Sequence, residues 1–294
     1  GAIIEDGIDS KTGIPIISLY GNNKKPTREQ LLGIDVLVFD IQDVGVRFYT
    51  YISTLHYVME AAAENNIKVI VLDRPNPNGH YVDGPILDTN FKSFVGMHPV
   101  PIVHGMTIGE YSKMINGENW ITTRCELIVI EMENYTHNTN YDLPIKPSPN
   151  LQNARAVNLY PSLCLFEGTN ISVGRGTDYP FQHFGAPYLK SNYSFMPKSG
   201  EGSKYPKHED IVCFGTDLRF QEDYLTALNL NWIIETFKQC SEKEEFFNNF
   251  FDKLAGTDKL KKQIIAGMTA KEIKASWQEG LEKFKKIRKK YLIY

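Results

Sequence analysis

Cysteine is scarce here and poorly spaced for chemistry. The chain has 294 residues and four cysteines, Cys125, Cys164, Cys213 and Cys240, with no CxxC pair, which excludes a zinc knuckle and a redox dithiol. Cys125 and Cys164 fall in apolar runs and read as core thiols. Long hydrophobic runs are also missing: nothing approaches the roughly 18 apolar residues of a membrane-spanning helix. Positive charge is not in excess, since 32 Lys and Arg face 35 Asp and Glu for a formal net charge of −3. Binding nucleic-acid phosphates needs a concentrated basic face, so no nucleic-acid partner is expected. The one basic stretch, Lys283 to Lys290, reads as a solvated helix face with its apolar residues turned inward. No GxGxxG opens a helix after a strand, and no Walker loop, HExxH or GxSxG appears, which excludes the common nucleotide, zinc-protease and serine-hydrolase signatures. The seven histidines show no paired ligand spacing, so neither a metal nor another cofactor is expected. The opening Gly1-Ala2-Ile3-Ile4 carries neither an initiator Met nor a signal peptide, and reads as a processed or truncated form whose targeting segment cannot be seen.

What is present is an ordinary globular composition, 42% hydrophobic and 23% charged. The length suits two lobes sharing a cleft, divided here into 1–145 and 146–294. Asp35 to Asp40 and Lys68 to Asp73 are short β-branched runs typical of strands buried on both faces. Between them, Leu55, Val58, Met59 and Ala62 follow a helical spacing that stops at Asn65-Asn66. A strand–helix–strand unit of this kind predicts a parallel crossover and an α/β, doubly wound sheet. Thr107 with Glu110 three residues later reads as a capping box. Arg124 to Glu131 reads as a further strand, and the proline-rich 141–149 as a connection between lobes. In the second half, Asp178 to Pro187 looks like an irregular pocket wall, and from Tyr224 onward the apolar spacing is helical.

Both early strands end in Asp. Ligands of parallel sheets gather at the carboxyl ends of strands, which puts Asp40, Gln42, Asp43, Asp73, Arg74 and Asn76 on one rim. His104, before Gly105, is equally readable as a binding group or a structural hydrogen-bonding one. The most telling stretch is Phe166-Glu167-Gly168-Thr169-Asn170-Ile171-Ser172-Val173-Gly174-Arg175-Gly176-Thr177, where one carboxylate, one amide and one guanidinium stand among glycines that permit close backbone approach. Glu167 leaves an apolar segment there, so desolvation is expected to raise its pKa and suit it to general acid catalysis of glycosidic cleavage. Asp40, Asp43, Asp73 and Glu110 compete for the second carboxyl role that such chemistry needs. A sugar-binding module and a metal-dependent hydrolase or esterase remain open on the residues alone.

The block Val38-Phe39-Asp40-Ile41-Gln42-Asp43-Val44-Gly45-Val46-Arg47-Phe48-Tyr49-Thr50-Tyr51 resembles the DUF1343 family of NamZ-like exo-β-N-acetylmuramidases. So do Leu72-Asp73-Arg74-Pro75-Asn76-Pro77, the run from His104 to Glu110, and Phe166 to Asn170 with Gly174 to Thr177. These blocks occur in the family's order along essentially the whole chain. The resemblance implies a Rossmann-like lobe with a smaller α+β lobe, an active site between them, and release of N-acetylmuramic acid from non-reducing ends of peptidoglycan fragments, in the periplasm or outside the cell. By resemblance Glu167 and Glu110 carry over as the conspicuous acids of their motifs, and their assignment as catalytic residues is our own reading of those motifs. The resemblance further implies that a glutamate in an N-terminal Pro-Glu-His-Gly-like motif, not contained in this sequence, belongs to the catalytic pair, and that the sheet lacks its first strands. Muramic acid carries a lactyl carboxylate that glucosamine lacks, so selecting it calls for a cation, for which Arg175, Arg74 and Arg47 are ranked in that order. Asn170, Asn76 and His104 complete the expected binding set.

Overall fold

The computed structural model describes residues 5–21, 23–221 and 223–294; the opening residues 1–4 noted above lie outside them. A small antiparallel hairpin, β1 (Gly7–Ile8) with β2 (Pro15–Ile16), precedes a three-stranded sheet. That sheet follows the expected alternation: β3 (Val36–Phe39), α1 (Tyr51–Glu64), β4 (Lys68–Leu72), α2 (Ile108–Gly117) and β5 (Leu127–Ile130). All pairings are parallel, in the order β3-β4-β5, with Val38 opposite Ile70 and Ile70 opposite Ile128.

Because the strands advance in one direction, right-handed crossovers carry α1 and α2 to the same face. Phe39, Val69 and Val71 are buried there with Leu55 and Met59 of α1 and Met114 of α2. The opposite face carries Val36, Val38, Ile128 and Ile130, all exposed. Of the doubly wound arrangement expected, the described residues therefore supply the helical layer of one face. The capping box forms as read: Thr107 Oγ1 accepts from the Glu110 N–H at 3.2 Å, and Glu110 Oε2 accepts from the Thr107 N–H at 2.9 Å.

In the second half, α3 (Ala154–Leu163) is N-capped by Asn153, whose Oδ1 accepts from the Ala156 N–H at 2.9 Å. It runs straight into a 3₁₀ turn, Cys164–Gly168. The segment expected to be an irregular wall contains a strand, β6 (His183–Ala186), buried throughout. It pairs antiparallel with β8 (Cys213–Asp217), and β7 (Tyr193–Phe195) lies on the far side of β8. Gly185 hid this strand from pattern reading, yet the packing requires it: a Cβ there would stand 2.5 Å from the Phe214 carbonyl oxygen.

Helices then follow: α4 (Asn231–Gln239), α5 (Lys243–Phe246), α6 (Phe251–Ala255), α7 (Lys259–Ile265), α8 (Ala270–Ser276) and α9 (Gln278–Arg288). The helical pattern expected from Tyr224 starts seven residues later because side chains hold the intervening backbone: Asn158 accepts from the Leu225 N–H and Asp83 from the Leu228 N–H. Two cores result. One collects the sheet, α1, α2 and Phe284 of α9; the other collects α3, β6 and α4 to α8 and reaches back for Val44, Val46, Phe48, Ile102 and Val103. No helix among the described residues is long and apolar enough to cross a membrane.

Candidate active site

Parallel pairing brings Asp40 and Asp73, which follow β3 and β4, to the same end of the sheet. Their roles differ. Asp40 is exposed and accepts from Arg74 Nε at 2.8 Å and Nη2 at 2.6 Å. Asp73 turns inward: Oδ1 accepts from the N–H groups of Gly109 (2.7 Å) and Arg74 (2.9 Å), Oδ2 from the hydroxyls of Thr107 (2.7 Å) and Tyr294 (3.0 Å). Burial raises its pKa against those four donors. In this structure both of its oxygens are engaged in anchoring the start of α2. Asn76 is likewise a strut, donating to the Met106 carbonyl and accepting from the Asn78 N–H. Gly45 lets it pack, since a Cβ there would meet Asn76 Oδ1 at 2.1 Å.

Two other expected site residues are interior supports. Arg47 is fully buried, and its Nη1 and Nη2 donate to the carbonyls of Pro85, Val100, Leu254 and Ala255 at 2.7–3.0 Å. A guanidinium so engaged cannot read a ligand. Glu110, fully buried too, accepts from the N–H groups of Thr107, Ile293 and Tyr294 and faces His137 Nε2 at 2.9 Å. In this structure it fastens α2 to the segment of Ile293 and Tyr294.

Asp43 and His104 form a different kind of pair. Asp43 Oδ2 accepts from the Gly45 N–H at 2.7 Å, while Oδ1 is buried without a partner. His104 Nδ1 accepts from the Met106 N–H at 3.2 Å, which puts the proton of the neutral ring on Nε2. That Nε2 is also buried without a partner and stands 4.0 Å from Asp43 Oδ2. Burial pushes the Asp43 carboxyl up to about 7, and burial, reinforced by Arg288 and Arg47, pushes the imidazole down to about 3. Near neutrality the carboxyl is on the point of holding a proton beside an uncharged ring.

Glu167 sits at the end of the 3₁₀ turn that extends α3. Gly168 permits the close pass against α6, where a Cβ would lie 2.4 Å from Phe251 Cα. The carboxylate is forked by Arg175, with Nε to Oε1 at 2.5 Å and Nη2 to Oε2 at 3.0 Å. Arg175 stands between Gly174 and Gly176, both at positive φ (74° and 80°), and its guanidinium lies 4.9 Å from the Phe181 ring centre. Burial works against the guanidinium charge, but Glu167 more than compensates, and its pKa is raised.

In this structure the carboxylate of Glu167 is ion-paired and the fork of Arg175 is turned onto it. The loop is clamped from outside: Lys207 Nζ donates to the carbonyls of Phe166 (3.2 Å), Ile171 (3.0 Å) and Thr169, and Asn248 Nδ2 to that of Glu167 (3.3 Å). The Asn170 side chain is engaged by the Tyr188 hydroxyl at 2.6 Å and by Cys240. Nothing in the sequence marked Lys207, one of three lysines in the segment from Lys198 to Lys207.

A cleft of about 850 Å³ is lined by Ile41, Tyr49, Tyr51, Phe94, Pro149 and Tyr160 among others. Asp43 is near enough to Tyr49 and Tyr51 to add to the effect of burial in raising their phenols. Glu167 and Arg175 act in the same way, with opposite signs, on Tyr160. Asp43 and the Glu167–Arg175 pair thus act on the tyrosine lining without being part of it, and Tyr49 and Tyr160 of that lining meet edge to face with ring centres 6.0 Å apart. Its volume falls in the range of small-ligand sites. Among the described residues no three His, Cys, Asp or Glu side chains come together to hold a metal.

Comparison with known proteins agrees with this architecture. The family description "Exo-beta-N-acetylmuramidase NamZ, N-terminal" matches residues 1–155, and its C-terminal counterpart matches residues 158–294. The chain is 42% identical to the peptidoglycan beta-N-acetylmuramidase NamZ of Bacillus subtilis (strain 168), with 98% of this chain and 74% of that protein covered. Two crystal structures of DUF1343 family proteins from Bacteroides fragilis NCTC 9343 are similar, one with a TM-score of 0.94 at 49% identity and one with 0.84 at 28%. Each match covers 98% of this chain and 82% of the other.

Proposed function

This chain belongs to the NamZ family of exo-β-N-acetylmuramidases, and on that premise we propose that it is a glycoside hydrolase releasing N-acetylmuramic acid from the non-reducing ends of peptidoglycan fragments. The observation that carries the reading into this chain's own chemistry is the forked Glu167–Arg175 pair beside a tyrosine-walled cleft. Glycosidic cleavage passes through an oxocarbenium-like state, which an ionised carboxylate stabilises or attacks while an acid protonates the leaving oxygen.

Glu167 has the fixed orientation and counter-ion of the first role. Asp43, which burial keeps protonated toward neutrality, has the property of a proton source for the second, behind the tyrosine lining. Environments that drive two carboxyl groups to different protonation states are how one site performs both tasks. A substrate found in cell-wall material also puts the enzyme's work in the periplasm or outside the cell, which fractionation of the native host would test.

The deciding experiment is hydrolysis of a chromogenic N-acetylmuramic acid glycoside beside its N-acetylglucosamine analogue. Turnover of the first and not the second is expected. Release of neither would remove the proposal, and preference for glucosamine would redirect it.

A further inference from the structure

Selecting muramic acid over glucosamine requires reading a lactyl carboxylate, and the three arginines considered for this are all engaged. Arg47 is buried on four carbonyls, Arg175 forks Glu167, and Arg74 is paired with Asp40. The wall of the cleft holds a different cation. Lys24 lines the 850 Å³ cleft together with Tyr20, Tyr49, Tyr51 and Phe94, and its Nζ stands 4.3 Å over the centre of the Phe94 ring.

The adjacent Lys25 makes the contrast. Its ammonium is paired with Glu60 and Glu64, each at 2.8 Å. Among the described residues no carboxylate lies within ion-pairing distance of Lys24. A half-buried ammonium held over an aromatic face gains direction from the ring, without a protein anion to satisfy it. Such a group in a sugar-sized cleft is a donor site for an external carboxylate.

We propose that Lys24 reads the lactyl carboxylate of N-acetylmuramic acid and so sets the sugar specificity of the cleft. This rests on the muramidase reading above, which supplies the ligand class. A single ammonium makes a point contact without a fork, so it tolerates some freedom in the lactyl ether while rejecting a neutral group. An ion pair in a cleft open to solvent weakens with salt, so the preference for the carboxylate should shrink as ionic strength rises.

The test measures binding by calorimetry, so that it does not depend on turnover. N-acetylmuramic acid is compared with its lactyl methyl ester in the parent protein, Lys24→Met, Lys24→Glu and Lys24→Arg, with thermal melts to check folding. The parent should prefer the carboxylate by about 10–100-fold, the range of one charge-assisted hydrogen bond. Lys24→Met should bind acid and ester alike, Lys24→Glu should favour the ester, and Lys24→Arg should keep the preference. If folded Lys24→Met keeps the parent's discrimination, or the parent shows none, Lys24 does not read the lactyl group. Failure of the glycoside assay with the binding pattern intact would instead remove the hydrolase reading and leave Lys24 in place.

Discussion

The Glu167–Arg175 pair permits a double-mutant test that separates orienting a catalytic carboxylate from binding the substrate. Two N–H groups of Arg175 meet the two oxygens of Glu167 at 2.5 and 3.0 Å, and the side chains are 32% and 24% exposed. Exposed pairs contribute about 0–1 kcal/mol and removal of one partner from a buried pair costs about 3–5 kcal/mol; this half-sheltered fork lies between, at about 1–2 kcal/mol of coupling in stability. Kinetically, Glu167→Gln keeps the shape but not the charge, and should lower kcat by at least ~10²-fold. Arg175→Met leaves the carboxylate present but free to rotate, and should lower kcat by about 10-fold or more with KM little changed, as loss of positioning does. Because Arg175 works through Glu167, the double variant should be no slower than Glu167→Gln alone. The assay is steady-state hydrolysis of the muramic acid glycoside with denaturant melts of all four proteins. Multiplied losses in the double variant, or a rise in KM confined to Arg175→Met, would refute this account and return Arg175 to direct substrate contact.

Arg47→Met should destabilise the fold by about 3–5 kcal/mol in urea melts, because four carbonyls lose a buried charged donor; a change below about 1 kcal/mol would show that those contacts are dispensable. Asp43 has its pKa raised from 3.8 to about 7, so its stabilising contribution is full below about pH 4 and is lost as pH rises through 7. Asp43→Asn should therefore match the parent at pH 4, exceed it in stability at pH 8, and lose the alkaline limb near 7 from the rate profile; parallel stability curves across that range would contradict the assignment. Lys207→Ala should slow turnover with KM nearly unchanged, and added ammonium should restore part of the rate by occupying the three-carbonyl nest; no recovery in a folded variant would argue against the clamp.

The parallel sheet was legible because β-branched runs of strand length, separated by a helical period, admit few other arrangements. Glu110 was legible as a capping-box acid, and that local role proved to account for the residue together with contacts 183 and more positions away that no local pattern reveals. The burial of Arg47 was not legible, because a lone arginine between Val46 and Phe48 does not say that loops at 85–100 and α6 close over it. The same holds for Glu167 and Arg175: the loop was conspicuous, but that its two charges face each other is a property of loop closure. Lys24 and Lys25 are indistinguishable in sequence, and only the positions of α1 and Phe94 give them opposite partners.

Arg47 also constrains how this sequence can diverge. Its Nη2 lies where a side chain on Gly256 would begin, 2.6 Å from an added Cβ, and Gly256 itself caps α6 at a φ of 73°. Position 256 is thus held twice, once by backbone conformation and once by a charge that arrives from 209 residues earlier in the chain. A lineage that exchanged Arg47 for a smaller apolar residue would relax only the second hold. It would also leave the Leu254 and Ala255 carbonyls in need of new donors. Changes at 47, 254–256 and the loop near Val100 are therefore expected to travel together in descendants of this fold, as one inherited unit spread across the whole length of the polypeptide.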